Sequence, residues 1–199
     1  MNESYYQLCL EELKSITVPK RLLLHSCCAP CSSHVITFLT KYFDITILYY
    51  NPNISPIEEY NKRKKEQISL IKQIETINKL DILDCDYENE LYEKNIKGYE
   101  NCKERGARCT ICFNMRMEKT AQLAKQNNFD YFCTTLTVSP YKNSKLINQI
   151  GKELSNKYDI KWLYSDFKKN DGYKKSIELS KKYNLYRQNY CGCKYSKNS

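Results

Sequence analysis

The 199-residue chain is 41% hydrophobic, enough for one sizeable core, and its 32 Lys and Arg against 23 Asp and Glu give a formal charge of +9. No run approaches the roughly 18 apolar residues of a membrane span, and Met1 to Leu8 lacks a basic segment followed by an apolar one, so the expectation is a cytoplasmic protein with no membrane association. Eleven cysteines without an export signal argue against a disulfide framework and for metal or redox chemistry, while the charge favours a polyanionic partner without separating RNA from DNA.

Taken in chain order, residues 1–20 read as an N-terminal extension. Leu22 to His25 is an apolar run ending in a polar turn, and Ile45 to Tyr50 is a second, β-branched and aromatic, stopped by Asn51-Pro52. Between them Val35, Ile36 and Leu39 recur at helical spacing, which makes the first fifty residues a strand-helix-strand unit and predicts a parallel sheet. A basic helix is predicted from about Ile57 to Asn78, with a weak strand at Lys79 to Leu83.

Residues 84–112, polar and bearing Gly98 and Gly106, read as an irregular excursion that delivers a C-x-x-C pair. The alternation then resumes. A helix runs from Phe113 to Asn127, a strand from Asp130 to Thr135, a helix carries Leu146, Ile150 and Leu154, a strand spans Ile160 to Leu163 and a last helix Ser176 to Tyr183. Residues 186–196 form a C-terminal segment around Cys191-Gly192-Cys193, and Lys194 to Ser199 read as a fraying polar tail. The expected fold is a single α/β domain over 1–199, Rossmann-like, three-layer α/β/α, with a parallel sheet of four or five strands.

Cys27, Cys28 and Cys31 occupy the loop after the first strand, where ligands gather in an open α/β sheet, and a helix beginning at Pro30 would favour thiolates there. Adjacent cysteines suit a polynuclear cluster better than a closed zinc site, because neighbouring side chains in an extended segment diverge. Cys109 and Cys112 supply a second pair. Four thiolates fit a structural zinc or a [4Fe-4S] cluster, and spacing alone leaves both open. Cys191 and Cys193, two apart with Gly192 between, would close a small, strained and readily reduced disulfide ring. Cys9, Cys85, Cys102 and Cys133 stand alone and read as small buried hydrophobes or passive thiols.

Other candidates are weaker. His25 reads as a core or supporting residue, and His34 as ordinary. Asp86, Tyr87, Tyr50 and His25 are candidate proton donors; Asn51, Asn53, Arg63 and Lys142 are candidate nucleoside or phosphate contacts. Tyr49, Tyr50 and Tyr186 beside Arg187 are candidate stacking groups, and Lys62 to Lys65 is more simply a solvated helix face.

In order, His25-Ser26-Cys27-Cys28-Ala29-Pro30-Cys31, Tyr50 to Ile54, Glu58 to Tyr60 with Arg63, Glu104 to Phe113, Thr134 to Asn143, Asp166 to Lys169 and Tyr186 to Ser196 resemble the QueH family of cobalamin-independent epoxyqueuosine reductases, over about residues 21 to 196. The resemblance implies reduction of epoxyqueuosine to queuosine at the wobble position in the anticodon loop of tRNA, with an electron donor that the sequence does not identify. It makes Cys27, Cys28, Cys109 and Cys112 the ligands of a [4Fe-4S] cluster and Cys191 with Cys193 the redox-active, catalytic pair. Cys31 falls where family members vary and is a candidate ligand for an additional iron; no cobalamin is implied. Two other readings share the cysteines and the charge: an ATP-pyrophosphatase type tRNA-modifying enzyme, disfavoured because a glycine- and serine-rich phosphate loop is missing after the first strand, and a zinc-stabilised RNA-binding module.

Overall fold

The computed structural model describes residues 4–196, and within them five strands form one sheet flanked by seven α-helices. Strands β1 (Lys20–His25), β2 (Phe43–Leu48), β3 (Leu80–Leu83), β4 (Tyr131–Thr134) and β5 (Lys161–Trp162) are all parallel, in the order β3-β2-β1-β4-β5. Central parallel strands are covered on both faces and so read as continuous apolar runs rather than alternating ones. Leu22, Leu23 and Leu24 of β1 are completely buried, as are Phe132 and Cys133 of β4.

The helices are α1 (Tyr5–Ser15), α2 (Ala29–Leu39), α3 (Ile57–Gln73), α4 (Asn89–Asn95), α5 (Ala107–Gln126), α6 (Ser144–Tyr158) and α7 (Gly172–Lys182). Helix α5 packs on β1, β4 and α6, while α2 packs on α7 and α3, so parallel crossovers cover the sheet on two sides. Close approach is needed between α6 and β5, where a Cβ on Gly151 would lie 2.3 Å from the Trp162 indole. The chain proceeds from β1 outward through β2 and β3, then returns to β4 on the other side of β1. That reversal puts the topological switch point, and the crevice it opens, at the carboxyl ends of β1 and β4.

Several element limits depart from the sequence expectations. The N-terminal extension carries α1, which sinks Cys9 and Leu13 into the main core, while residues 1–3 lie outside the described residues. Helix α3 stops at Gln73, and Ile77, expected on its apolar stripe, is 74% exposed. The excursion contains α4, and α5 starts six residues earlier than its apolar spacing suggests, taking Cys109 and Cys112 onto a helix. Lys194–Ser196 form a 3-10 turn with Ser196 buried, where a frayed tail is expected; residues 197–199 are not among those described.

Candidate active site

At the end of β1, His25 ties the sheet together. Its Nδ1 lies 2.7 Å from Thr134 Oγ1 of β4 and its Nε2 3.1 Å from the Tyr50 carbonyl beyond β2. A carbonyl can only accept, so Nε2 carries the proton and Nδ1 accepts from Thr134. Burial, with Arg116 nearby, pushes this imidazole down to about 3, so it stays neutral.

The next residues turn into α2, with Cys28 capping the helix and Pro30 in its first turn. The expected divergence of adjacent cysteines does not occur: the Cys27 and Cys28 sulfurs are 3.9 Å apart, and those of Cys27, Cys28 and Cys31 all lie within 4.8 Å of one another. Cys28 itself stays extended, and the turn at Ala29 swings Cys31 back toward the other two. Thr135, just past β4, closes the group by accepting from the Cys27 amide at 3.2 Å and donating to its sulfur at 3.4 Å. Hydrogen bonds from the Cys28 and Cys31 thiols, which outweigh burial, hold Cys27 well below the ordinary thiol range and push its two neighbours up.

A second group forms across α5 and the C-terminal segment. Cys109 and Cys112, three apart on the helix, share a face. The Cys109 sulfur accepts from the Arg105 amide at 3.2 Å, and burial pushes Cys112 up to about 12. The Cys191 sulfur accepts from Lys142 Nζ at 3.3 Å; its carbonyl accepts from Arg63 Nη1 at 3.2 Å. Burial pushes Cys191 up, but Lys142 and Arg116 together more than offset this and leave it below the usual thiol range. Cys193 is buried with its sulfur 3.3 Å from the Tyr92 hydroxyl, and Gly192 turns between them with φ +98°. All eleven cysteines are free thiols.

Two adjoining cavities connect these groups. The larger, about 460 Å³, is lined by Cys27, Cys28, Cys31 and Cys191 with Asn51, Arg63, Glu104, Arg105, Tyr141, Tyr173, Arg187 and Tyr190. The smaller is lined by Tyr92, Cys109, Cys112, Phe113, Cys191 and Cys193. Glu104, Arg116, Lys142, Cys191 and Ser196 border both. Among charged lining residues of the larger cavity, Arg63, Arg105, Arg116, Lys142 and Arg187 face a single carboxylate, Glu104, which favours an anionic ligand. Its volume is in the range of small-molecule sites.

A protein-family profile described as "Epoxyqueuosine reductase QueH" matches residues 22–199, which takes in every cysteine of both groups. The chain belongs to that family. Curated QueH relatives agree. The chain is 42% identical over 182 residues to the epoxyqueuosine reductase of Streptococcus pyogenes serotype M1, covering 90% of this chain and 71% of that protein. It is 44% identical over 180 residues to that of Staphylococcus epidermidis, covering 88% and 76%. Against that of Thermotoga maritima it is 35% identical over 178 residues, covering 88% and 89%. As a QueH protein the chain is an oxidoreductase. No helix among the described residues is long and apolar enough to cross a membrane.

Of the nucleoside contacts expected from the QueH sequence, Asn51, Arg63 and Lys142 line the larger cavity, whereas Asn53 is buried away from it with its Oδ1 unpartnered. Lys142 is directed at Cys191 and lies 3.6 Å from Glu104. The expected proton donors lie elsewhere: Tyr50 donates to Glu88, Tyr87 donates to the Ile54 carbonyl at 2.6 Å, and neither they, Asp86 nor His25 is in the cavity lining. Tyr186 is covered by Lys62 at 3.5 Å from its ring centre. Thr135, Tyr92, Glu104 and Arg116 emerge only in three dimensions. Arg116 left a trace in the chain, sitting four residues beyond Cys112 and so on the same helical face, and Glu104 and Thr135 lie within segments that carry the family resemblance.

Proposed function

We propose that this QueH protein reduces epoxyqueuosine to queuosine at the wobble position of tRNA, the last step of queuosine biosynthesis, in the cytoplasm and without cobalamin. A [4Fe-4S] cluster held by Cys27, Cys28, Cys109 and Cys112, with Cys31 as ligand to an additional iron, is the cofactor of this reading. The donor set suits it: sulfur is the ligand type on both sides, none of these thiols is consumed in a disulfide, and Arg116 is a buried cation beside them with an N–H still unpartnered. Bound there, such a centre supplies one-electron transfer and Lewis acidity toward the epoxide oxygen.

The chain's own residues do the rest. The cationic lining of the larger cavity attracts the phosphates of an anticodon loop, and Tyr141 and Tyr173 offer rings against which a base can stack. Converting an epoxide to an alkene removes the oxygen as water and takes two electrons and two protons. Cys191 and Cys193 supply both electrons by closing to a disulfide, and the protons come from Nζ of Lys142 and Sγ of Cys193. Substrate and dithiol thus give alkene, water and disulfide. An external electron donor then reduces the disulfide back, as its small ring favours.

The observation that carries the reading is that Cys191 borders both cavities, one lined by Cys27, Cys28 and Cys31 and the other by Cys109 and Cys112. Anaerobically purified protein, given tRNA carrying epoxyqueuosine and a reductant without cobalamin, should yield queuosine on nuclease digestion and mass spectrometry. It should contain iron and acid-labile sulfide. Zinc in place of iron, or iron-loaded protein that leaves the epoxide intact, refutes the proposal.

A further inference from the structure

Arg116 is among the largest fully buried side chains of the molecule, yet its charge has no carboxylate to answer it. Nε donates to the Cys112 carbonyl at 3.2 Å and Nη1 to Asn51 Oδ1 at 3.4 Å, both neutral acceptors, and Nη2 has no partner. Among the described residues no Asp or Glu forms an ion pair with it; Glu104, the one carboxylate on the shared wall, pairs with Lys142. A guanidinium cannot shed its proton to escape burial, so a buried one without an anion is a large penalty on the fold. The anions available to it are sulfurs. Arg116 borders both cavities, and the groups that act on it electrostatically are, in order, Cys112, Cys191, Cys27 and the Tyr92 hydroxyl, three of the four being sulfurs.

We infer that Arg116 is the charge-balancing residue of the sulfur centre: its fixed positive charge, placed between the β1 loop and α5, compensates the thiolates and raises the centre's electron affinity. This rests on the cluster reading above, and goes beyond it by assigning a positioning residue that touches no substrate. Lys142 is not equivalent, because Cys191 and Glu104 already answer its charge. The sign follows from electrostatics: a nearby cation stabilises the more negative, reduced state, so its removal lowers the reduction potential.

The test compares wild-type protein with Arg116→Gln and Arg116→Lys, each loaded anaerobically, checked for folding by circular dichroism, analysed for iron and sulfide, and titrated redox-spectroscopically. Arg116→Gln should fold and either fail to retain iron or bind electrons at least tenfold more weakly, a negative shift of at least 59 mV for a one-electron couple. Arg116→Lys should retain iron with a change in electron affinity under threefold. A loaded Arg116→Gln titrating as wild type overturns the inference, and so does equal loss in both variants, which would mark a role of shape rather than charge. Should Arg116→Gln not fold, Arg116→Lys decides: iron retained at near wild-type potential supports the inference, iron lost overturns it. Absence of iron and sulfide from wild type itself would instead remove the cluster reading.

Discussion

Cys27 and Cys28 are fixed by the backbone they interrupt, whereas Cys191 and Cys193 ride a turn held by side chains from elsewhere in the chain. The first segment runs straight from a central strand into α2, with the Cys27 amide and sulfur anchored by Thr135 at the end of the neighbouring strand. The second is gripped at Cys191 by Arg63 of α3 and Lys142, and at Cys193 by Tyr92 of α4, with the Gly192 carbonyl accepting from the Ser55 amide at 3.0 Å. Geometry built onto the carboxyl end of a central strand suits ligation, which needs sulfurs that do not move. A turn held by contacts can change shape as a disulfide forms and opens, because no strand or helix has to distort with it. The difference teaches that neighbouring sulfurs in one cavity are held in different ways, which is the physical basis for the different work proposed for them.

The sharpest way to break this comparison is a pair of serine variants. Cys28→Ser should lose most of its iron and at least a hundredfold in turnover, about 2.7 kcal/mol of barrier. Cys193→Ser should keep wild-type iron and sulfide and lose sustained turnover with a dithiol reductant. Metal analysis of anaerobic protein beside a turnover assay reads both. If Cys193→Ser sheds iron as Cys28→Ser does, the two segments do the same job.

The β1-loop half of the site was the legible one, for the same physical reason that the sheet was. Buried parallel strands appear as apolar runs, so Leu22 to Leu24, Ile45 to Leu48 and Tyr131 to Thr134 announce themselves, and the loop after the first carries three cysteines in five residues. Helix α1 hides because Cys9 and Leu13 are its only fully buried residues, too few for a periodic stripe. Helix α4 hides in a polar stretch that buries Tyr92. The residues gripping the C-terminal turn are less legible still, since a cation in an amphipathic helix looks solvated. In the run Lys62-Arg63-Lys64-Lys65 only Arg63 points inward, because helical periodicity turns one position of four toward the sheet. Spacing offers Lys142 as a phosphate contact, and packing places it in the cavity wall while also pairing its charge with Cys191 and Glu104.

A smaller effect separates the two groups electrostatically. Cys27 is held down chiefly by neighbouring thiols, Cys191 by the Lys142 ammonium and the Arg116 guanidinium against burial. The thiolate is the species that alkylates, so removing a cation should raise the Cys191 pKa and slow its reaction at any pH below that value. Lys142→Met should therefore slow iodoacetamide labelling of Cys191 near pH 7 by about tenfold, the equivalent of one pKa unit, and move its rate profile to higher pH. Cys27 in the same sample, resolved by peptide mass spectrometry, should change little. Equal slowing at both sites would mean that Lys142 serves the whole cavity rather than the turn.

The least effect, and the finest test of what holds the turn, comes from two glycines. Gly98 and Gly192 both have positive φ, +89° and +98°, so an alanine at either meets the left-handed penalty of about 1–2 kcal/mol. Their surroundings differ. A Cβ at Gly98 meets nothing within 4 Å, whereas one at Gly192 lies 2.8 Å from Arg63 Nη1 and 3.0 Å from Ile54 Cγ1. Arg63 has little room to yield, since its Nε is bound to Glu59 at 2.7 Å and the side chain is buried. Both Gly98→Ala and Gly192→Ala should lower the denaturation midpoint, Gly192→Ala by more because the clash adds to the shared backbone penalty. Only Gly192→Ala should also push Arg63 off the Cys191 carbonyl, which hydrogen exchange over residues 190–194 would register as faster by several fold. Matching exchange in the two variants would mean that the guanidinium does not clamp the turn, and would leave Lys142 and Tyr92 on its sulfurs and the Ser55 amide on its backbone to hold the pair.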